Sequence, residues 1–97
     1  MPFVRVGVHR FKPGTLDGVI EKATSNLTPL HAGQPGFHVY EIVRTGADTA
    51  VSISKWDTRE QAEDAVKRTE RWRKENGVAD ELVHLDDHVG ELVYASS

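Results

Sequence analysis

Two segments of the chain alternate valine or isoleucine with residues that can bind or react with a ligand. These residues are Arg5, Gly7 and His9 in the first segment, and Ser52, Ser54 and Trp56 in the second. Alternation with a period of two is typical of a β-strand with one apolar face. We therefore expect the six residues to share one face of a sheet.

His9 is the first candidate for a catalytic residue. A neutral imidazole can accept a proton from a phenol near neutral pH, as a general base must. A helix N-terminus beside the end of its strand would favour the anion that this transfer produces. The alternative is a histidine at a strand end that binds a backbone carbonyl or faces water.

Trp56 is the second candidate for the catalytic site, as an aromatic wall for a planar substrate or as a core tryptophan that closes the end of the sheet. Arg5 either neutralises a substrate carboxylate or pairs with a nearby acidic residue. Small side chains in the middle of the sheet would leave the space that a pocket needs. The predicted substrate-binding residues are Arg5, Gly7, Ser52, Ser54 and Trp72.

Two further segments contain residue types that could bind a metal ion or a nucleic acid. His84 and His88 flank two aspartates and would share an ion only if this segment were helical, whereas a strand is expected to begin here. We predict no metal site and no cofactor. The basic run at 67–75 contains Trp72, but a solvated helix face is predicted, because its charges lie outside the apolar stripe and Glu75 interrupts them.

Composition restricts the classes of protein. The chain has 97 residues, no cysteine and a net charge of −3, which predicts one domain over 1–97 without disulfides. The negative charge argues against nucleic acid and anionic membranes as partners. No apolar run approaches the roughly 20 residues of a membrane span, and no signal peptide is recognised, so the cytoplasm is the predicted location.

The elements that must position these residues follow from periodicity. Strands are predicted at 3–11, 37–45, 49–56 and 88–95, and 79–85 is ambiguous, with one helical turn as an option. One helix begins at Thr15 and carries apolar residues at three- and four-residue spacing: Leu16, Val19, Ile20, Ala23, Leu27 and Leu30. A second helix begins at Asp57 or Thr58 and closes at 76–77.

The order β-α-β-β-α-β predicts an α+β, ferredoxin-like fold with a four-stranded sheet and both helices on one face. Strands one and three are expected side by side and parallel at the centre. Both would then end at the edge where both helices begin, placing His9 near Ser54 and Trp56.

Periodicity leaves open which face the helices cover. Val4, Val6, Val8, Val51 and Ile53 form one apolar patch. If the patch packs under the helices, the polar face is open to water and the protein can be a monomer. If the patch lies on the open face, it needs a partner, because monomers rarely expose such a patch.

The sequence FKPG before a helix, PGFHVYEIVRTG, and a strand ending in Trp56 that continues into DTREQAEDA resemble the antibiotic biosynthesis monooxygenase family. They are also similar to stress-responsive dimeric α/β-barrel domains. The resemblance implies a homodimer that joins open sheet faces into an α/β barrel, with the valine patch at the interface and a pocket between sheet and helices. The family's haem-degrading members use an asparagine on the first strand, a tryptophan at the end of the third and a histidine on the second helix. Trp56 matches the tryptophan, but the asparagine position falls at or near Gly7 and residues 58–76 contain no histidine, so haem degradation is disfavoured.

Two functional hypotheses follow. One is a monooxygenase without metal or flavin that binds a small phenol, quinol or enol, with His9 as base and Trp56 as stacking wall. The other is a non-catalytic, stress-responsive or ligand-binding barrel in which these residues only shape the interior.

Overall fold

A computed structural model describes residues 1–96 and shows a four-stranded sheet with helices on one face. In chain order the elements are β1 (Phe3–Phe11), α1 (Leu16–Lys22), a π-helical turn (Ala23–Leu27), α2 (Thr28–Ala32), β2 (Phe37–Arg44), β3 (Thr49–Trp56), α3 (Arg59–Glu75) and β4 (Leu82–Glu91). The strand order is β2-β3-β1-β4. The predicted ferredoxin-like α+β fold is confirmed.

The two central strands are antiparallel, so the parallel arrangement predicted above is wrong. Phe3 of β1 lies opposite Trp56, and His9 lies opposite Ala50. The reason is topological: a helical crossover makes β1 and β2 parallel, and the hairpin then reverses β3 relative to both. His9 and Trp56 share a face but lie at opposite ends of it.

The helices cover the face that carries the polar residues. Arg5, His9, Ser52 and Ser54 are all buried there, while Val8 on the other face is 42% exposed. The helices therefore cover the polar face of the sheet and not the valine patch. The valine patch lies on the open face.

The first predicted helix contains a π-helical turn that changes which residues are buried. Thr28 donates its backbone N–H to Ala23 O, five residues back. Pro29 cannot donate a helical hydrogen bond, which favours such an irregularity. Beyond this turn His31 is 1% exposed and Leu30 is 47% exposed, so the prediction that Leu30 belongs to the buried side was wrong.

The structure decides between the two predicted caps of α3, and the last strand differs from expectation. Thr58, rather than Asp57, caps α3: its hydroxyl accepts from Gln61 N, and the Gln61 side chain accepts from Thr58 N. Strand β4 begins at Leu82 and ends at Glu91, earlier than the predicted 88–95. The segment 79–85 is therefore partly strand.

A bulge in β2 separates two side chains that strict alternation would place on one face. The register shifts between Phe37 and Val39, so Tyr40 lies opposite Ser54 on the helix-covered side and His38 is exposed. An extra residue in one strand has this effect because side-chain direction alternates at every position. Across residues 1–96, no helix is long and apolar enough to cross a membrane.

Candidate functional site

A cavity of about 40 Å³ lies between the sheet and the helices. Its polar lining comes from β1, β2, β3 and α3: His9, Tyr40, Ser52, Thr69, Trp72 and Arg73. Apolar side chains of α1 and the π-helical turn form its helical side. A water molecule needs roughly 10–15 Å³ measured in this way, so the cavity has room for about three.

His9 lies at the end of a hydrogen-bonded chain of buried side chains. The Arg5 guanidinium pairs with Asp87, with Nε donating to Asp87 Oδ1 at 2.7 Å. Arg5 Nη1 donates to Ser52 Oγ at 2.9 Å, and Ser52 Oγ is 2.8 Å from His9 Nε2. Of the two readings of Arg5, the structure shows the pairing with an acidic residue.

Gly7 makes this arrangement possible because it has no side chain. A Cβ at Gly7 would lie 2.6 Å from Arg5 Nη2 and 2.8 Å from His9 Nε2, closer than real contacts allow. Gly7 lies between Ser52 on one neighbouring strand and Asp87 on the other. Gly7 therefore leaves room for the side chains of Arg5 and His9, and it does not line the cavity.

Burial shifts the pKa values of two ionisable side chains that line the cavity. Burial, helped by the guanidiniums of Arg5 and Arg73, lowers the pKa of His9 from 6.5 to about 4, against the opposing charge of Asp87. His9 is therefore neutral at pH 7. Burial also raises the pKa of the Tyr40 phenol, which stays protonated.

Three buried nitrogen atoms around the cavity have no hydrogen-bond partner within residues 1–96. They are His9 Nδ1, Trp72 Nε1 and Arg73 Nη1, on residues that are 8%, 4% and 6% exposed. A buried polar atom without a partner costs about 1–3 kcal/mol, and in native proteins water or a ligand usually pairs it. These three nitrogen atoms are therefore available to water or to a ligand.

Trp56 and Ser54 lie outside this cavity. Trp56 is fully buried and donates from Nε1 to Ser54 Oγ at 2.9 Å. Its ring packs edge-on against Phe37 and His31. The structure thus brings His9, Ser52 and Trp72 together and leaves Trp56 at the other end of the sheet, so the predicted grouping of His9 with Trp56 and Ser54 is wrong.

A second buried histidine was missed by the sequence analysis. His31 Nδ1 accepts a hydrogen bond from Arg68 at 2.9 Å, and Thr69 Oγ1 lies 3.4 Å from its Nε2. Burial and the Arg68 charge lower the pKa of His31 to about 4. Its burial depends on the π-helical turn, which regular helical spacing does not predict.

Arg73 and Asp87 were also missed. Arg73 follows Trp72 and lies four residues after Thr69, so helical spacing could have predicted that it lies on the buried side of α3. Asp87 gave no comparable signal, because β4 was predicted to begin after it. On the opposite face of β4, His84 pairs with Asp86 at 2.9 Å, and residues 1–96 hold no group of three or more side chains placed to bind a metal ion.

Comparisons with known proteins agree with this architecture. The family model for antibiotic biosynthesis monooxygenases matches residues 2–77. The chain therefore belongs to the antibiotic biosynthesis monooxygenase family. No curated protein matches its sequence significantly.

Solved structures share the fold at low sequence identity. A protein of unknown function from Nitrosomonas europaea superposes with a TM-score of 0.80 at 16% identity, over 99% of this chain and 93% of the other. SnoaB, a cofactor-independent oxygenase from Streptomyces nogalater, gives 0.74 at 12% identity, over 97% and 95%.

A monooxygenase from the gene ActVA-Orf6 of Streptomyces coelicolor, solved with the ligand nanaomycin D, is also similar. Its TM-score is 0.76 at 18% identity, and the match covers 98% of this chain and 90% of the other. At such identities the likeness shows the fold alone.

Proposed function

We propose that this protein is a monooxygenase without metal or flavin that binds a small phenol, quinol or enol in the cavity under the helices. The observation that carries the proposal is the buried cavity with unpartnered nitrogen atoms on His9, Trp72 and Arg73. Membership of the antibiotic biosynthesis monooxygenase family supports it. The oxygenase activity of SnoaB, a distant structural relative, points in the same direction.

The proposed chemistry needs little from the protein. A deprotonated substrate would pass an electron to dioxygen, and one oxygen atom would replace two hydrogens of a substrate carbon as a carbonyl oxygen. The other oxygen atom would leave as water with those two hydrogens, so the substrate is the only reductant. The protein supplies an enclosed site and polar groups that orient the reacting oxygen. The indole of Trp72 offers an aromatic wall, and His9 lies where the substrate hydroxyl would bind.

The cavity must widen before it can take an aromatic ring. Ligand pockets usually measure about 300–1,000 Å³, whereas this cavity measures about 40 Å³. The side formed by α1 and the π-helical turn contributes only apolar side chains to the lining, such as Leu16, Ala23 and Leu27. We propose that this segment shifts outward on binding.

The second candidate function is a non-catalytic ligand-binding barrel, and the small volume of the cavity favours it. Oxygen uptake with a panel of hydroquinones and anthrones separates the two functions. We expect oxygen uptake with at least one substrate. The rate of uptake should fall tenfold or more in His9→Leu, because leucine cannot form a hydrogen bond with the substrate oxygen. The control is His38→Gln, an exposed histidine outside the cavity. No uptake with any compound would favour the binding protein.

We also propose that a second copy of this chain covers the open face of the sheet. The centre of this face carries Val6, Val8, Val51 and Ile53, and Val43 beside them is 47% exposed. The arrangement matches the barrel that the family resemblance implies. Without a partner, this apolar surface would remain in water.

Light scattering coupled to size exclusion tests the dimer. We expect a dimer at every concentration for the native chain, and dissociation in Val51→Asp, because a carboxylate would be buried without a partner at the interface. Leu30→Asp is the matched control, since Leu30 is 47% exposed on α2, on the other side of the sheet from the open face. A native monomer, or an unchanged Val51→Asp dimer, would refute this interface.

A further inference from the structure

The hydrogen-bond partners of Ser52 decide which nitrogen of His9 carries the proton. Arg5 can only donate, so Ser52 Oγ accepts from Arg5 Nη1. The hydroxyl hydrogen of Ser52 then has one acceptor within residues 1–96, which is His9 Nε2 at 2.8 Å. The opposite arrangement would leave that buried hydrogen without an acceptor, at a cost in free energy.

A proton on Nδ1 changes what His9 presents to a ligand. Nε2 is occupied by Ser52, and Nδ1 is the atom without a partner. A neutral imidazole has one N–H, so Nδ1 is then a hydrogen-bond donor and has no free lone pair. In this state His9 cannot take a proton from a substrate through its free nitrogen.

The two other buried nitrogen atoms of the cavity without a partner are donors as well, and the protonated Tyr40 phenol can also donate. The indole Nε1 of Trp72 and the guanidinium Nη1 of Arg73 can only donate. The Thr69 hydroxyl donates to Ala65 O at 2.8 Å, and its oxygen lies 3.4 Å from His31 Nε2. That nitrogen carries the proton of the neutral ring, because His31 Nδ1 accepts from Arg68. Among the described residues, no aspartate or glutamate lines the cavity.

We infer that this cavity binds a negatively charged oxygen, as in a phenolate, enolate or carboxylate, and that Ser52 is the positioning residue that makes His9 a donor to it. A substrate phenol or enol would release its proton to water, and the three donors would hold the resulting anion. The inference deepens the proposed function and rests on it only for the aromatic or enol character of the substrate.

Nitrogen NMR of the histidine rings tests the proton position directly. In the ¹⁵N-labelled protein at pH 7, we expect His9 to show a protonated Nδ1 and an unprotonated Nε2, with the signals assigned through His9→Asn. In Ser52→Ala we expect the proton to move to Nε2 in a large share of molecules. Ser54→Ala is the matched control, because Ser54 bonds Trp56 and not His9. A proton on Nε2 in the native protein would overturn the assignment.

Benzoate and benzamide test the preference for an anion, because they share a shape and differ in charge. The chain has two tryptophans, so the indole N–H of Trp72 reports on the cavity and that of Trp56 serves as an internal control. We expect benzoate to shift the Trp72 signal with at least tenfold higher affinity than benzamide, and to leave the Trp56 signal in place. Equal affinities, or no shift with benzoate, would overturn the inference.

Two substitutions of His9 distinguish a donor from a base. Asn in place of His9 keeps an N–H donor near the Nδ1 position but cannot act as a base, whereas Leu removes both functions. We expect His9→Asn to bind benzoate within about threefold of the native protein, and His9→Leu to bind at least tenfold more weakly. Equal loss in both would contradict the donor role. Benzoate binding needs no turnover, so absence of oxygenase activity would refute the proposed function and leave this inference standing.

Discussion

Arg5 is 1% exposed, and its guanidinium lies between Asp87 and Ser52. A buried guanidinium needs both its counter-charge and its hydrogen bonds, because an unpaired buried charge costs several kcal/mol. Here the ion pair fixes Arg5, Arg5 orients Ser52, and Ser52 contacts His9. One side chain at the interior of β1 thus connects the exposed edge strand β4 to the cavity.

Gly7→Ala tests the network at the residue scale. The new methyl group would collide with Arg5 Nη2 and His9 Nε2, so both side chains must move. We expect a loss of about 1–3 kcal/mol in the free energy of unfolding, typical of overpacking, measured by urea denaturation. Gly90→Ala is the control, since a Cβ at Gly90 meets nothing within 4 Å. An unchanged midpoint for Gly7→Ala would show that the network tolerates displacement.

Helix α3 carries much of the site at the element scale. It provides Thr69, Trp72 and Arg73 to the cavity and Arg68 to His31. Its start is fixed by the reciprocal hydrogen bonds of Thr58 and Gln61. These bonds satisfy N–H groups at the helix start that have no partner within the helix.

Thr58→Ala removes the cap of α3. We expect the free energy of unfolding to fall by about 1 kcal/mol, within the usual range of about 0.5–2 for a lost cap. Thr58→Ser retains the hydroxyl and should retain most of the stability. The measurement is urea denaturation followed by circular dichroism. Equal stability of Thr58→Ala and Thr58→Ser would mean that the hydroxyl contributes nothing here.

The π-helical turn is the other decisive element. It places His31 between Tyr40 and Trp56, with ring centroids 5.1 and 5.5 Å away. The Arg68 guanidinium lies over the Trp56 ring at 5.5 Å and donates to His31. The segment over the cavity is therefore joined to α3 through a neutral histidine.

Two buried histidines make the stability of the whole molecule depend on pH. The pKa values of His9 and His31 are about 4 in the folded protein, against 6.5 in an unfolded chain. Between these values the unfolded chain binds more protons. Stability is therefore complete above about pH 6.5 and is lost as the pH falls toward 4, by up to about 1.4 kcal/mol per pH unit for each histidine.

Urea denaturation between pH 7.5 and 5 measures this dependence. We expect the midpoint to fall with pH, and His31→Gln to flatten the profile because one of the two groups is gone. Leu30→Gln replaces an exposed side chain that does not titrate and should leave the slope unchanged. A native profile that is flat from pH 7.5 to 5 would contradict the low pKa values.

The sequence by itself determined the strands that alternate most strictly, the order of elements and the polar face of Arg5, Gly7, His9 and Ser52. These features follow from local periodicity, which can be recognised without knowing which distant residues are in contact. It also indicated that Trp72 lies on the buried side of its helix, and motif resemblance supplied the family.

Only the tertiary structure decided which residues meet across the sheet. The antiparallel register separates His9 from Trp56, the π-helical turn buries His31, and Asp87 reaches Arg5 from a neighbouring strand. These contacts join residues far apart in the chain, and the Arg5–Asp87 pair spans 82 positions. Spacing along the chain cannot encode such pairs, because strand direction and helix phase are fixed by packing and by hydrogen bonds between distant segments.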